Sequence, residues 1–166
     1  NYNGFSSLGS FYLNPKLPGV ILSNAQVQFL LAEAANEGYI SGGSAAATTF
    51  YNNGINASFA FNGIGALAAT YVTQGNVILG NQADSRQKIA EQSWIALFGQ
   101  GFEAWTEWRR TGQPALSPVV DAQISVIPKR FYYSTDSQNL NQTNYQAAAA
   151  LLDNGDTMLS KVWWMN

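Results

Sequence analysis

Apolar residues recur at helical spacing in four stretches of this chain and lose that spacing after Pro114. Ser23 and Gln26 form a capping-box pattern. Val27, Leu30, Leu31 and Ala34 then share a helical face, and Gly38 supplies the stop. Ser41, Gly42 and Gly43 mark a turn. A second helix is predicted over 44–61, with Ala46, Phe50, Asn53, Ala57 and Phe61 tracing one face. Gly54 sits inside it at a cost of about 1 kcal/mol against Ala. A conformational need or a close packing contact accounts for such a glycine, and the pattern does not choose between them. A short helix is predicted over 66–71. Asp84 or Ser85 opens the third long helix, with Ala90, Trp94, Leu97 and Phe98 as its buried stripe. After Gly99 and Gly101 a fourth helix is expected over 102–110, ended by Thr111, Gly112 and Pro114.

Outside the helical stretches the chain is punctuated by glycine and proline. Over 1–22, Gly4, Gly9, Pro15, Pro18 and Gly19 separate the aromatics Tyr2, Phe5, Phe11 and Tyr12. These rings either pin a loop to the core or line a groove. Beyond Pro114, 123–127 reads as a short strand or extended segment before Pro128. The stretch 131–146 reads as a polar loop, and 145–152 as a short helix capped by Asn144. The predicted architecture is mainly α. Degenerate tetratricopeptide-like paired helices, about 23–61 and 84–111, precede a loop-rich segment 112–166 with long irregular loops. Two hairpins are fewer than the roughly three repeats a free-standing solenoid needs.

Composition narrows the chemistry. Charged residues make up 11% of the 166, against a usual value of about 25%. Sixteen Asn and twelve Gln fill the gap. Eight basic and ten acidic residues leave a net charge of −2, and no basic patch suited to a nucleic-acid backbone is visible. The chain has no His and no Cys, which excludes His-based triads, thiol nucleophiles, disulfides and zinc or haem sites of the usual kind. No run approaches the roughly 18 consecutive apolar residues of a membrane-spanning helix.

Glu103 and Glu107 lie one helical turn apart, too close along one helix to face a sugar from opposite sides. Arg110, three residues after Glu107, makes a structural ion pair the better reading. Trp94, Trp105 and Trp108 read as core. Trp163 and Trp164 are adjacent, so one is expected to be buried and the other exposed. Lys129 and Arg130 are expected to bridge to a neighbouring helix. The run Asp153-Asn154-Gly155-Asp156 lacks the alternating ligands of an EF-hand loop and reads as an Asx-type turn. No catalytic constellation, metal site or cofactor motif emerges. If the chain holds a sugar, Tyr132, Tyr133, Trp163 and Trp164 are the candidate ligand-binding residues, with nearby Asn and Gln as hydrogen-bonding partners.

Several blocks together resemble a known family. Residues 24–35, NAQVQFLLAEAA, resemble the "AEVQFLLAEAA" helix of the SusD/RagB family. YNNGINASF at 51–59 is similar to its following helix, and WIALFGQGFEAWTEWRRTG at 94–112 is the strongest match. IPKRFYY at 127–133 resembles "IPRRFPYP", NQTNY at 141–145 resembles "NPTNY", and KVWW at 161–164 resembles its terminal "KVWW". The blocks keep the family's order. The resemblance implies a SusD-like fold and a non-catalytic outer-membrane lipoprotein on the cell surface. Such a protein captures glycans or other nutrients for a TonB-dependent outer-membrane transporter. It also implies that this chain is the carboxy-terminal third, with membrane attachment through a lipid anchor on the missing amino-terminal part. The alternative expectation is a protein–protein docking scaffold with no ligand of its own.

Overall fold

A computed structural model describes Gly4 and residues 6–165. The chain forms two compact units, Asn1–Gln100 and Gly101–Asn166. Every regular element among the described residues is helical.

The first unit is built on α1 (Asn24–Asn36), α2 (Gly43–Phe61), a 3-10 turn (Gly65–Leu67), α3 (Ala68–Tyr71) and α4 (Gln82–Ala96). Ser23 caps α1 as its spacing predicts, its hydroxyl accepting the Gln26 amide at 3.1 Å. Gly38 ends α1 at φ 79°. The Tyr39 amide returns to the Ala34 carbonyl at 2.8 Å and the Gly38 amide to Ala35 at 3.2 Å, the paired bonds of a Schellman stop. At the start of α4, the Asn81 side chain accepts the Asp84 amide.

Both α2 and α4 pack on α1. The core between them holds Ala25, Phe29, Ala32, Tyr51, Ile55, Val77 and Ile89. The Tyr51 hydroxyl donates to the Val77 carbonyl at 2.9 Å, and burial holds its pKa well above the usual range. The buried face of α2 is Ala47, Tyr51, Gly54 and Ile55, one position on from the predicted one. Phe50 and Ala57 only flank this core, and Phe61 is 44% exposed. The cause is Gly54. A Cβ there would lie 2.8 Å from a ring carbon of Phe29, so the bare backbone of α2, not its larger side chains, receives the α1 ring. The buried stripe of α4 is likewise Ser85, Ile89, Ala90 and Ser93, continued by Leu97. Trp94 is half-buried and Phe98 exposed. Ser85 is accommodated because its hydroxyl donates to the Gly80 carbonyl.

Phe11 and Tyr12 do pin the entry loop. Phe11 meets Phe61 edge to face, and Tyr12 meets Phe98 in the same manner. The Tyr12 hydroxyl also donates to Asn62 Oδ1. Tyr2 and Phe5 lie outside the described residues.

The second unit carries α5 (Gly101–Thr111), α6 (Thr135–Leu140) and α7 (Gln142–Ala150). In place of the expected short strand or extended segment, 123–126 is a run of bends, since an extended segment with no neighbouring strand has nothing to complete a ladder. The expected polar loop contains α6, which Ser134 caps by accepting the Ser137 amide. Helix α7 starts at Gln142, with Asn141 rather than Asn144 at its cap.

Glu107 and Arg110 pair through two hydrogen bonds at 3.0 and 3.1 Å. The Glu107 side chain is 12% exposed and that of Arg110 32%. Arg110→Ala is therefore expected to destabilise the protein by about 1.5–3 kcal/mol, the range for a hydrogen bond to a charged group. Screening at the exposed arginine keeps the effect below that of a fully buried pair. A thermal melt checks this, and an unchanged midpoint would reduce the pair to a surface contact.

Candidate functional site

The sequence between α5 and the chain end folds back on itself through two arginines. Arg130 is buried, and its Nη1 donates to Asp156 Oδ1 at 2.6 Å and to the Thr157 carbonyl at 3.2 Å. The partner thus comes from the 153–156 turn and not from a helix as expected. A turn brings a carboxylate and free carbonyls to one point, which an internally bonded helix does not. The Tyr133 amide donates to the same Asp156 oxygen at 3.1 Å. Burial opposes the charged form of Asp156, but hydrogen bonds from Arg130, the Tyr133 amide and Tyr145 hold its carboxyl below the usual carboxylate range. The Arg130 guanidinium also lies 4.8 Å from the Tyr133 ring centroid, and Tyr133 meets Tyr145 edge to face at 5.9 Å.

Next to this network is a cavity of about 530 Å³, walled by Arg130, Tyr133, Leu151, Leu152, Lys161 and Trp163, with Asp153 at its lining. Trp163 is 94% exposed. Asp153 Oδ1 accepts the Lys161 amide at 3.0 Å, which ties the terminal segment to the turn. Trp164 points elsewhere. It is half-buried, with the Arg109 guanidinium 4.8 Å from its ring centroid. Of the two adjacent tryptophans one is exposed, but the other is half-buried rather than buried as expected, its ring covered on one side by the Arg109 guanidinium.

Of the four candidate residues, the fold brings Tyr133 and Trp163 to one cavity. Tyr132 is 53% exposed and, like Trp164, is not part of this cavity's wall. Sequence reading missed Arg130, Asp153, Lys161 and Leu151 as neighbours of Tyr133. The partial signal was the turn 153–156, whose acidic residues stand where two basic segments converge. The cavity combines an open indole face with guanidinium, ammonium and carboxylate side chains in its lining, and none of the expected Asn or Gln side chains is among them. That set can stack on the C–H face of a pyranose and hydrogen-bond its hydroxyls.

A second depression of about 540 Å³ in the same unit is lined by Phe102, Trp105, Pro128, Phe131, Met158 and Arg130. Phe102 and Phe131 are 81% and 70% exposed. In the first unit, a cavity of about 570 Å³ lies among the 19–25 segment, the end of α2, Ala96 and Gln100. Trp105 and Trp108 spend their indole N–H groups on the carbonyls of Pro128 and Pro114. Among the described residues no three acidic side chains gather as metal ligands.

Residues 2–134 match the model of a family described as SusD-like, starch-binding and associating with the outer membrane. The chain belongs to the SusD-like family. Solved structures agree with this assignment. A SusD-like protein of Bacteroidetes AC2a is 26% identical over 95% of this chain, with a TM-score of 0.83. A chitin-binding protein is 30% identical over 86%, with a TM-score of 0.71. A SusD homolog from Parabacteroides distasonis ATCC 8503 is 27% identical over 86%, with a TM-score of 0.69. Each match covers 32% of the relative, so this SusD-like chain spans about a third of their length. No curated protein matches the chain. The paired helices of the first unit are accordingly the SusD-like, tetratricopeptide-like arrangement, with an all-helical set of elements.

Proposed function

We propose that the protein captures a glycan or related nutrient at the outer membrane without altering it chemically. In this reading it is a lipid-anchored, surface-exposed receptor that delivers its ligand to a TonB-dependent transporter. Family membership supports the binding role. The observation that carries it to this chain is Trp163, an almost fully exposed indole at the rim of a cavity shared with Tyr133. Trp163 is the stacking platform and Tyr133 the facing wall. Lys161 and Asp153 supply hydrogen bonds, Tyr132 extends the contact outside the cavity, and Trp164 supports Trp163 from behind.

Titration with malto- and chito-oligosaccharides, followed by tryptophan emission, is expected to change the signal. Trp163→Ala should weaken association by about tenfold or more, the loss of one good aromatic contact. The sugars should be recovered intact, with no new reducing ends. Unchanged emission across both series would remove the carbohydrate reading from this chain. A metabolically incorporated fatty-acid label on the full-length protein tests the anchor.

A second reading, a docking scaffold with no ligand of its own, is favoured by the largely apolar depression beside Phe102 and Phe131. It predicts that Phe102→Ser disrupts co-purification with the transporter while oligosaccharide titrations stay silent even in the wild type.

A further inference from the structure

We propose that Arg109 is a positioning residue for the ligand platform: its guanidinium clamps Trp164 against Trp105, and this clamp directs Trp163 outward into the cavity. The inference rests on the reading of Trp163 as a glycan-contacting ring.

The geometry of the clamp is specific. The guanidinium carbon lies 3.6 Å from the Trp105 ring centroid and 4.8 Å from that of Trp164, so the cation is shared by two indoles. Its edges are fixed as well. Nη1 donates to the Lys129 carbonyl at 3.0 Å and Nη2 to Thr106 Oγ1 at 3.3 Å. Those bonds tie the plate to α5 and to the segment before Tyr133, and the ring contact with Trp164 links it to the terminal segment. Phe131 adds an edge-to-face contact on Trp105 at 5.7 Å, so the indole beneath the arginine is itself braced.

An ordinary structural role does not account for the choice of residue. Arg109 forms no ion pair with a carboxylate among the described residues, and its Nε is buried without a hydrogen-bond partner. Burial favours the neutral form. Arg110 and Arg130, by contrast, each pair with a carboxylate. Beyond its hydrogen bonds to the Lys129 carbonyl and Thr106, what sets Arg109 apart is stacking, and a planar guanidinium lies against two rings while keeping its charge. Trp163 is thus left 94% exposed next to a shielded Trp164. Across the cavity Arg130 stacks on Tyr133, so both aromatic walls are held by a guanidinium, one of them directly and the other through its neighbour.

The test uses the full-length protein with Arg109→Lys, which keeps the charge and loses the plate, and Arg109→Gln, which loses both. Iodide quenching, read well below the melting midpoint, reports whether Trp164 is released. A quenchable signal that appears in Arg109→Lys and disappears when Trp164→Phe is added marks that release. We expect it, together with malto- or chito-oligosaccharide association about tenfold weaker, as expected for losing a partly desolvated cation–π contact that orders the platform. Trp164 staying shielded in both variants would overturn the clamp. Release of Trp164 with unchanged oligosaccharide affinity would overturn the positioning role. If the wild type binds neither oligosaccharide series, the glycan reading fails and takes the positioning role with it. Quenching then still decides whether Arg109 holds Trp164.

Discussion

Arg130→Ala is expected to destabilise the protein by about 3–5 kcal/mol, the cost of removing one partner from a buried ion pair. The Arg130 and Asp156 side chains are 9% and 6% exposed. Without the guanidinium, the donors left to Asp156 among the described residues are the Tyr133 amide and Tyr145. The Thr157 carbonyl loses a donor too. Urea denaturation checks the magnitude, and a loss below about 1 kcal/mol would place the pair with ordinary surface bridges.

The same pair sets a pH dependence. Asp156 has a folded pKa below its unfolded value. Its contribution is therefore complete above the unfolded value of about 3.9 and is lost as pH falls through the lower, folded one. Asp156→Asn keeps an oxygen for the Tyr133 amide and removes the charge. The gap in melting midpoint between wild type and this variant should be widest near neutrality and close as pH drops below about 4. Glu37, held below its usual range chiefly by Arg86, adds a contribution of the same sign.

Phe29→Ala is expected to cost about 3–5 kcal/mol, since it empties the centre of the first unit. The ring is 1% exposed and meets Tyr51 edge to face at 6.0 Å. Gly54→Ala tests the same contact from the other helix. Helix propensity alone would favour alanine by about 1 kcal/mol. The new Cβ, however, would stand 2.8, 2.9 and 3.0 Å from three carbons of the Phe29 ring. Overpacking of this kind costs about 1–3 kcal/mol, so the clash wins and Gly54→Ala should destabilise. In the Phe29→Ala background the sign should reverse, because the methyl then fills space and improves the helix. A double-mutant cycle by denaturant unfolding reads the coupling directly. Additive effects would show that Gly54 is not there for Phe29.

Local signals were read well where the chain bonds to itself within a turn or two. The Ser23 cap, the Gly38 stop and the Glu107–Arg110 pair all lie within a few residues, and each is present. Helix α6 was missed because its cap, Ser134, sits among polar residues with no apolar stripe behind it. The buried faces of α2 and α4 differ from the predicted ones because large apolar side chains mark the predicted faces, whereas the observed ones include small residues. Gly54, Ser85 and Ser93 are buried for their smallness, a property of the neighbouring helix surface.

The candidate site followed the same division. That one of Trp163 and Trp164 would be exposed is legible from adjacency. Which one is exposed depends on Arg109, more than fifty positions earlier. Composition excluded thiol and imidazole chemistry, and the ordered family blocks carried the SusD-like assignment. The sequence by itself determined where α1, α2 and α5 begin and end and which chemistry is impossible, because those depend on short-range bonding and residue type. Only the tertiary structure decided that Gly54 receives a ring, that Arg130 meets Asp156, and that Tyr133 and Trp163 share a cavity. These contacts join residues separated by 25 or more positions, and no local pattern encodes the distance between them.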